Sequence, residues 1–297
     1  FMLSSYVPGQ ARVSVVELIS GDDRPHGTGL LERDVGADIA GMVELVHQPL
    51  QPGSYALIAG MPAVASGTLR LWVYPTLRED APQPLVNMAG VRLQVGGAGF
   101  RLSAPGQQLD LAMEVQPRRW HQVTFSFGAS TALQVHCKPG GTAEQALTAE
   151  AAWPQALALS AGDWVLAASS PGQDHFNGRI EAPVLSDEKG RVAAWDFSVD
   201  IGSQNILDPV GGYTGRLKQN PTRGVAGVQW DGSAQSYLQA PAHYAAIHFH
   251  EDDLTDAGWQ PTIAWQVPVD LPSGQYALKV EQGDSEDYVP FFVRPAM

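Results

Sequence analysis

Cysteine is almost absent. The chain has 297 residues and one cysteine, Cys137, so no internal disulfide framework can hold it together. A lone thiol fits a reducing compartment, and the expected location is the cytoplasm. Cys137 closes the alternating run Leu133-Gln134-Val135-His136-Cys137 and is read as a buried strand residue. Basic residues are scarce too. Eighteen Lys and Arg face 31 Asp and Glu, a net charge of −13. Arg118-Arg119 is the only basic run, so nucleic acid and anionic membranes are excluded as partners. No apolar stretch approaches the ~20 residues of a membrane-spanning helix. The start, Phe1-Met2-Leu3-Ser4-Ser5, lacks the basic and apolar regions of a signal peptide. Charged residues as a class reach only 16%, so much of the surface must be neutral polar, Gly, Pro and Ala.

Short alternating runs are abundant instead. Thr68-Leu69-Arg70-Leu71-Trp72-Val73-Tyr74 puts Leu69, Leu71 and Val73 on one side. Val91–Val95, Leu109–Val115 and Val123–Phe127 alternate in the same way. This period of two is the mark of half-buried strands. Glycine (31) and proline (22) fall between the runs, as in Gly96-Gly97, Pro105-Gly106 and Pro171-Gly172. The fold class is all-β. Helical turns are expected only over residues 142–152, rich in Ala and Glu and stopped by Pro154, and over 252–258.

One echo bears on domain organisation. Pro52-Gly53-Ser54-Tyr55-Ala56-Leu57 is similar to Pro272-Ser273-Gly274-Gln275-Tyr276-Ala277-Leu278. Both read as a turn entering a strand with a tyrosine at the corner, a feature of immunoglobulin-like sandwiches. The two copies flank a long middle segment with its own strands. The economical arrangement is a small immunoglobulin-like sandwich of residues 1–61 plus 240–297, interrupted by a larger sandwich over 62–239. This arrangement implies pairing between the 53–60 and 274–281 regions.

Chemistry-bearing motifs are sparse. There is no Gly-x-Ser-x-Gly elbow, and Gly96-Gly97-Ala98-Gly99 sits between strands as a turn. The richest polar cluster is His248-Phe249-His250-Glu251-Asp252-Asp253. On a strand His248 and His250 share a face and are weak candidates for metal ligands, but no third ligand lies at zinc-like spacing. The alternative is that these groups hydrogen-bond a strand end and the following turn. Asp22-Asp23-Arg24 reads as a polar turn. Tryptophans could stack on sugar; of these Trp153 and Trp230, beside turn residues, are the most exposed by pattern. No catalytic or cofactor-binding residue is assigned.

Two resemblances add to this. Trp120-His121-Gln122-Val123-Thr124-Phe125 and Phe176-Asn177-Gly178-Arg179-Ile180-Glu181 resemble the laminin-G/concanavalin-like jelly roll. More extensively, His248-Phe249-His250-Glu251-Asp252-Asp253 through Trp259, Val267–Ala277 and Asp287-Tyr288-Val289-Pro290-Phe291-Phe292-Val293 are similar to the large (β) subunit of N,N-dimethylformamidase and its relatives. So are Val16–Asp22, Gln48–Tyr55 and Ala193–Ser198. That resemblance implies an amidohydrolase whose mononuclear iron is held by tyrosine and carboxylate ligands in an α/β domain following the Phe291-Phe292-Val293-Arg294 segment. It implies no cofactor in this chain, and partners in that C-terminal catalytic domain, in neighbouring subunits and in a homo-oligomer. The expected role is a non-catalytic scaffold; the alternative is a module binding carbohydrate or another small ligand.

Overall fold

The computed structural model describes residues 1–77, 81–139 and 146–295. Among them, regular structure is strand apart from one 3-10 turn, Pro241–Tyr244. The chain divides into two compact units, Phe1–Leu50 with Ala257–Met297 and Gln51–Asp256.

The smaller unit is a five-stranded antiparallel sheet. Its organising element is Gly9–Asp22, long enough to pair with three others. Its first half takes Gly41–Leu45 and its second half Gly29–Asp34 along one edge. Along the other edge Val13 meets Val280 and Val15 meets Leu278 in Gly274–Gln282, which pairs in turn with Ser285–Val293. Alternation sends Ala11, Val13 and Val15 to the same side as Tyr276, Leu278 and Val280, and these form the core. Tyr276 is buried and its hydroxyl donates to Pro272 O at 2.9 Å. Trp265 packs edge-on against Phe291 from a loop.

The larger unit is a sandwich of two eight-stranded antiparallel sheets. One runs Leu147–Trp153, Thr131–Cys137, His121–Phe127, Gly67–Pro75, Gly178–Asp187, Ala246–Phe249 and Thr222–Val225, with Gly190–Ala194 paired to Gly178–Asp187. The other contains Tyr55–Met61 between Gly215–Lys218 and Gly162–Leu166, and continues through Gln83–Met88 to Gln107–Ala112. Leu69, Leu71, Val73, Val123, Phe125 and Ile180 face Ile58, Trp164, Leu93 and Leu102 in one core. Thus the Tyr55 copy of the echo belongs to the larger unit. Tyr55–Met61 pairs with Gly162–Leu166 and Gly215–Lys218 and not with residues 274–281.

Both helical expectations fail. Leu147–Trp153 is a strand in register with Thr131–Cys137; residues 142–145 lie outside the described residues. Ala149, Ala151 and Trp153 pack on the core while Glu150 points away, so an available sheet edge outweighs helix propensity. Residues 252–258 are irregular because their backbone groups bond elsewhere. Asp253 O accepts from Gly53 N at 2.8 Å, and Thr255 N donates to Gln219 Oε1 at 2.9 Å.

Two polar side chains hold the irregular stretch 196–213 of the larger unit. Asp208, only 4% exposed, accepts from the N–H groups of Ala194, Val210, Gly211 and Tyr213 at 2.9–3.1 Å. The Arg223 guanidinium donates to the carbonyls of Phe197, Val199, Asp200, Ser203 and Asn205 at 2.8–3.1 Å. Removing either leaves buried backbone groups without partners, which costs more than the bonds themselves contribute. We expect Asp208→Ala to lower unfolding free energy by about 3 kcal/mol and Arg223→Lys by about 2 kcal/mol. Urea denaturation checks this; losses below ~0.5 kcal/mol, typical of plain surface changes, would contradict it.

Candidate functional site

The sheet containing Gly67–Pro75 has an inner face committed to the core. Its outer face is therefore where polar and aromatic side chains can gather. Registration decides which ones meet. Trp72 lies opposite Glu181 and Tyr74 opposite Arg179, while His248 and Ala246 lie opposite Arg179 and Glu181 on the other side. Gln122 flanks Trp72 from His121–Phe127.

The structure brings His248 and His250 together, their ring centroids 4.0 Å apart. His250 Nδ1 lies 3.1 Å from Asp253 Oδ2, the oxygen to which Ser54 Oγ donates at 2.7 Å. Ser54 Oγ in turn accepts from His250 N at 3.1 Å, and Ser54 N donates to His250 O at 2.8 Å. Ser54 has no exposed surface. Gly53 is required beside it, because a Cβ there would fall 2.2 Å from the His175 ring. This is a clasp that ties the Pro-Gly-Ser-Tyr turn to the end of Ala246–Phe249. Its serine donates to the Asp253 carboxylate, which also lies within bonding distance of His250 Nδ1. Burial, then His250 and Arg179, push His248 down to about 4, leaving a neutral imidazole at neutral pH.

No group of three or more His, Cys, Asp or Glu among the described residues could hold a metal ion. A tyrosine–carboxylate grouping does occur in the smaller unit, at Tyr288, Glu32 and Glu286. The Lys279 ammonium already occupies it, 2.7 Å from Glu32, 3.1 Å from Glu286 and 5.3 Å from the Tyr288 ring centroid. A set of anions compensated by a resident cation does not fit an iron centre. Asp22 bonds Arg24 through its main chain and guanidinium, which is the turn read from the sequence.

Glu181 is the group that motif reading passed over. It is 2% exposed. Burial raises its carboxyl to about 7, against the opposing pull of the Val228 N–H and the Lys138 charge. The strand bulges immediately after it, where the register jumps between Glu181 and Val184 and Ala182 takes φ +48°. A turn over residues 226–230 lies on this part of the sheet and is held by charged side chains. Arg179 donates to Ala226 O at 2.8 Å, Val228 N to Glu181 at 2.6 Å, and Lys138 to Val228 O at 2.7 Å. Gly227 fits because a Cβ there would fall 2.4 Å from the Glu181 carboxylate. The alternation Arg179-Ile180-Glu181 was a legible sign that both charges share a face. Nothing local showed that residues 226–230 would cover them.

Beside this turn is a recess of about 300 Å³, walled by Tyr74, Trp120 and Trp230 and by Arg118, Arg119, Lys138 and Arg179. Of the two tryptophans read as surface-facing, Trp230 is 48% exposed while Trp153 is half-buried against the core; Trp164 and Trp195 are buried in the core.

Comparison with known proteins adds relatives. Residues 222–297 match the family described as N,N-dimethylformamidase beta subunit-like, C-terminal. The N,N-dimethylformamidase beta subunit of an Alcaligenes species is 27% identical over 97% of this chain and 46% of its own length. That of Paracoccus aminophilus is 28% identical over the same shares. The chain thus spans about half the length of the curated relatives it matches. Among solved structures, a Bacteroides ovatus protein proposed to bind carbohydrate aligns over 73% of this chain and 88% of its own. The identity is 12% and the TM-score 0.41.

The raised Glu181 has a signed consequence. A carboxyl near 7 in the folded state and 4.5 in the unfolded state binds more protons when folded between those values. Stability from this group is therefore present below about 4.5 and lost as pH rises through 7. Glu181→Gln keeps an acceptor for Val228 N and should raise stability at pH 8 by roughly 3 kcal/mol. The gain should vanish near pH 4.5. Thermal unfolding of both proteins from pH 4 to 8 measures it; a difference constant across that range would contradict the assignment.

Proposed function

The chain stands among the relatives of the N,N-dimethylformamidase β subunit, matched along nearly its whole length, and on that footing we propose that it is the non-catalytic β-sandwich region of such an amidohydrolase subunit. The observation that carries this reading is coverage. The match takes in 97% of this chain but 46% of each relative, so about half of each relative has no counterpart among these residues. Amide hydrolysis needs an activated water or nucleophile and a group that stabilises the oxyanion. Within each unit the polar side chains are instead bonded to neighbouring side chains or to backbone of that unit. Ser54 and His250 share Asp253, Asp208 and Arg223 gather main-chain groups, and Lys279 neutralises Glu32 and Glu286. In this reading the region packs against the catalytic domain of its parent and against neighbouring subunits.

Exposed apolar side chains support the contact role. On the smaller unit Tyr6 is 93%, Val7 72%, Phe292 72% and Val269 99% exposed. Side chains of this size left in water on a soluble chain mark surfaces that are covered in an assembly. Phe292 also sits on Ser285–Val293, an edge of its sheet.

Two outcomes follow. The purified 297-residue chain should give no turnover of dimethylformamide with or without ferrous iron. Turnover that survives repurification and is abolished by His250→Ala or Glu181→Gln would place catalysis here and reject the reading. The same chain should self-associate in sedimentation velocity, and Phe292→Ser should shift it toward monomer. A strictly monomeric chain would remove the support drawn from exposed apolar surface.

A further inference from the structure

We propose that the recess beside the 226–230 turn is a binding site for an acidic sugar, a ring that carries a carboxylate, as in uronic acids. Charge composition is the first ground. Acidic residues outnumber basic ones 31 to 18 in the chain. The recess nonetheless has Arg118, Arg119, Lys138 and Arg179 in its wall, and among the described residues the acidic group beside it is Glu181, buried beneath Val228. Four of the chain's 18 basic residues thus surround about 300 Å³, within the range of small-ligand sites. The surrounding protein repels anions, so a local positive basin of this kind selects for one.

The aromatic walls are the second ground. Tyr74 and Trp120 pack on each other with centroids 5.1 Å apart, and the Arg179 guanidinium lies over the Tyr74 ring at 5.0 Å. Trp230, half exposed, stands at the rim as a free stacking surface. Aromatic faces take the C–H face of a sugar, and cations beside them take its carboxylate. Lys138 and Arg179 each give one bond to a backbone carbonyl, of Val228 and Ala226. An ammonium has three donors and a guanidinium five, so neutral carbonyls leave both able to bind an anion.

Backbone geometry is the third ground. Arg118 is a non-glycine residue at φ +61°, fixed there by its N–H to Pro75 O at 2.7 Å. Holding an arginine in the left-handed region costs about 1 kcal/mol or more, and such strain persists mainly where a side chain must be aimed. Here Arg118 lines the same recess as the 226–230 turn.

The test is isothermal titration of the 297-residue chain with trigalacturonate, with galactotriose as the neutral counterpart and benzoate as a carboxylate on an aromatic ring. Trigalacturonate should bind, and its affinity should fall with added salt. Trp230→Ala and Arg118→Glu should each weaken it about tenfold, while Trp230→Phe keeps it. Both side chains are exposed, so melting temperatures of the variants should match the parent and loss of binding cannot be loss of fold. No binding of trigalacturonate up to ~10 mM overturns the site. Equal binding of galactotriose overturns the role of the cations, and tighter binding of benzoate overturns the sugar class. Unchanged affinity in both variants overturns the location.

Discussion

The pairing of Gly67–Pro75 with Gly178–Asp187 governs everything of interest on the larger unit. Both strands are central in their sheet, so neither can slip without turning Leu69, Leu71, Val73 and Ile180 out of the core. With the register fixed, Tyr74 must face Arg179 and Trp72 must face Glu181. The bulge after Glu181 then ends the regular ladder, and the Trp195 backbone bonds to Pro183 across the irregularity. The outer-face chemistry is thus a by-product of core packing: whatever sits at alternate positions of these two strands is delivered to one place.

That place is covered by the chain itself. The 226–230 turn brings Gly227 close enough to touch a buried carboxylate, and the three charged side chains grip main-chain groups. Charge-assisted bonds to backbone are stronger than neutral ones, but burying Glu181 works against them and keeps its proton near neutral pH. The balance stores a sensitivity to pH in a position that contributes nothing to the hydrophobic core.

Much of the fold was legible because strands announce themselves by period. Thr68–Tyr74, Val91–Val95 and Val123–Phe127 could be read residue by residue, and the alternation of Arg179 and Glu181 was visible as well. What escaped depends on partners far away in sequence. Residues 147–153 have helical composition and become a strand because Thr131–Cys137 offers an edge. Tyr55 and Tyr276 sit in near-identical motifs, yet one enters a strand of the larger unit and the other the core of the smaller. A turn motif fixes local backbone and is silent about which sheet the strand joins. The clasp joining Ser54 to His250 spans 196 residues and left no local trace except Gly53.

The proposal that these residues form no part of an amide-hydrolysing centre is tested most directly by the location of that centre in a full-length relative. A structure of the Paracoccus aminophilus enzyme with a substrate analogue bound should place every group that touches the analogue outside the 46% of the subunit matched by this chain. A side chain at a position equivalent to Ser54, Glu181, His248 or His250 in contact with the reacting amide would contradict it.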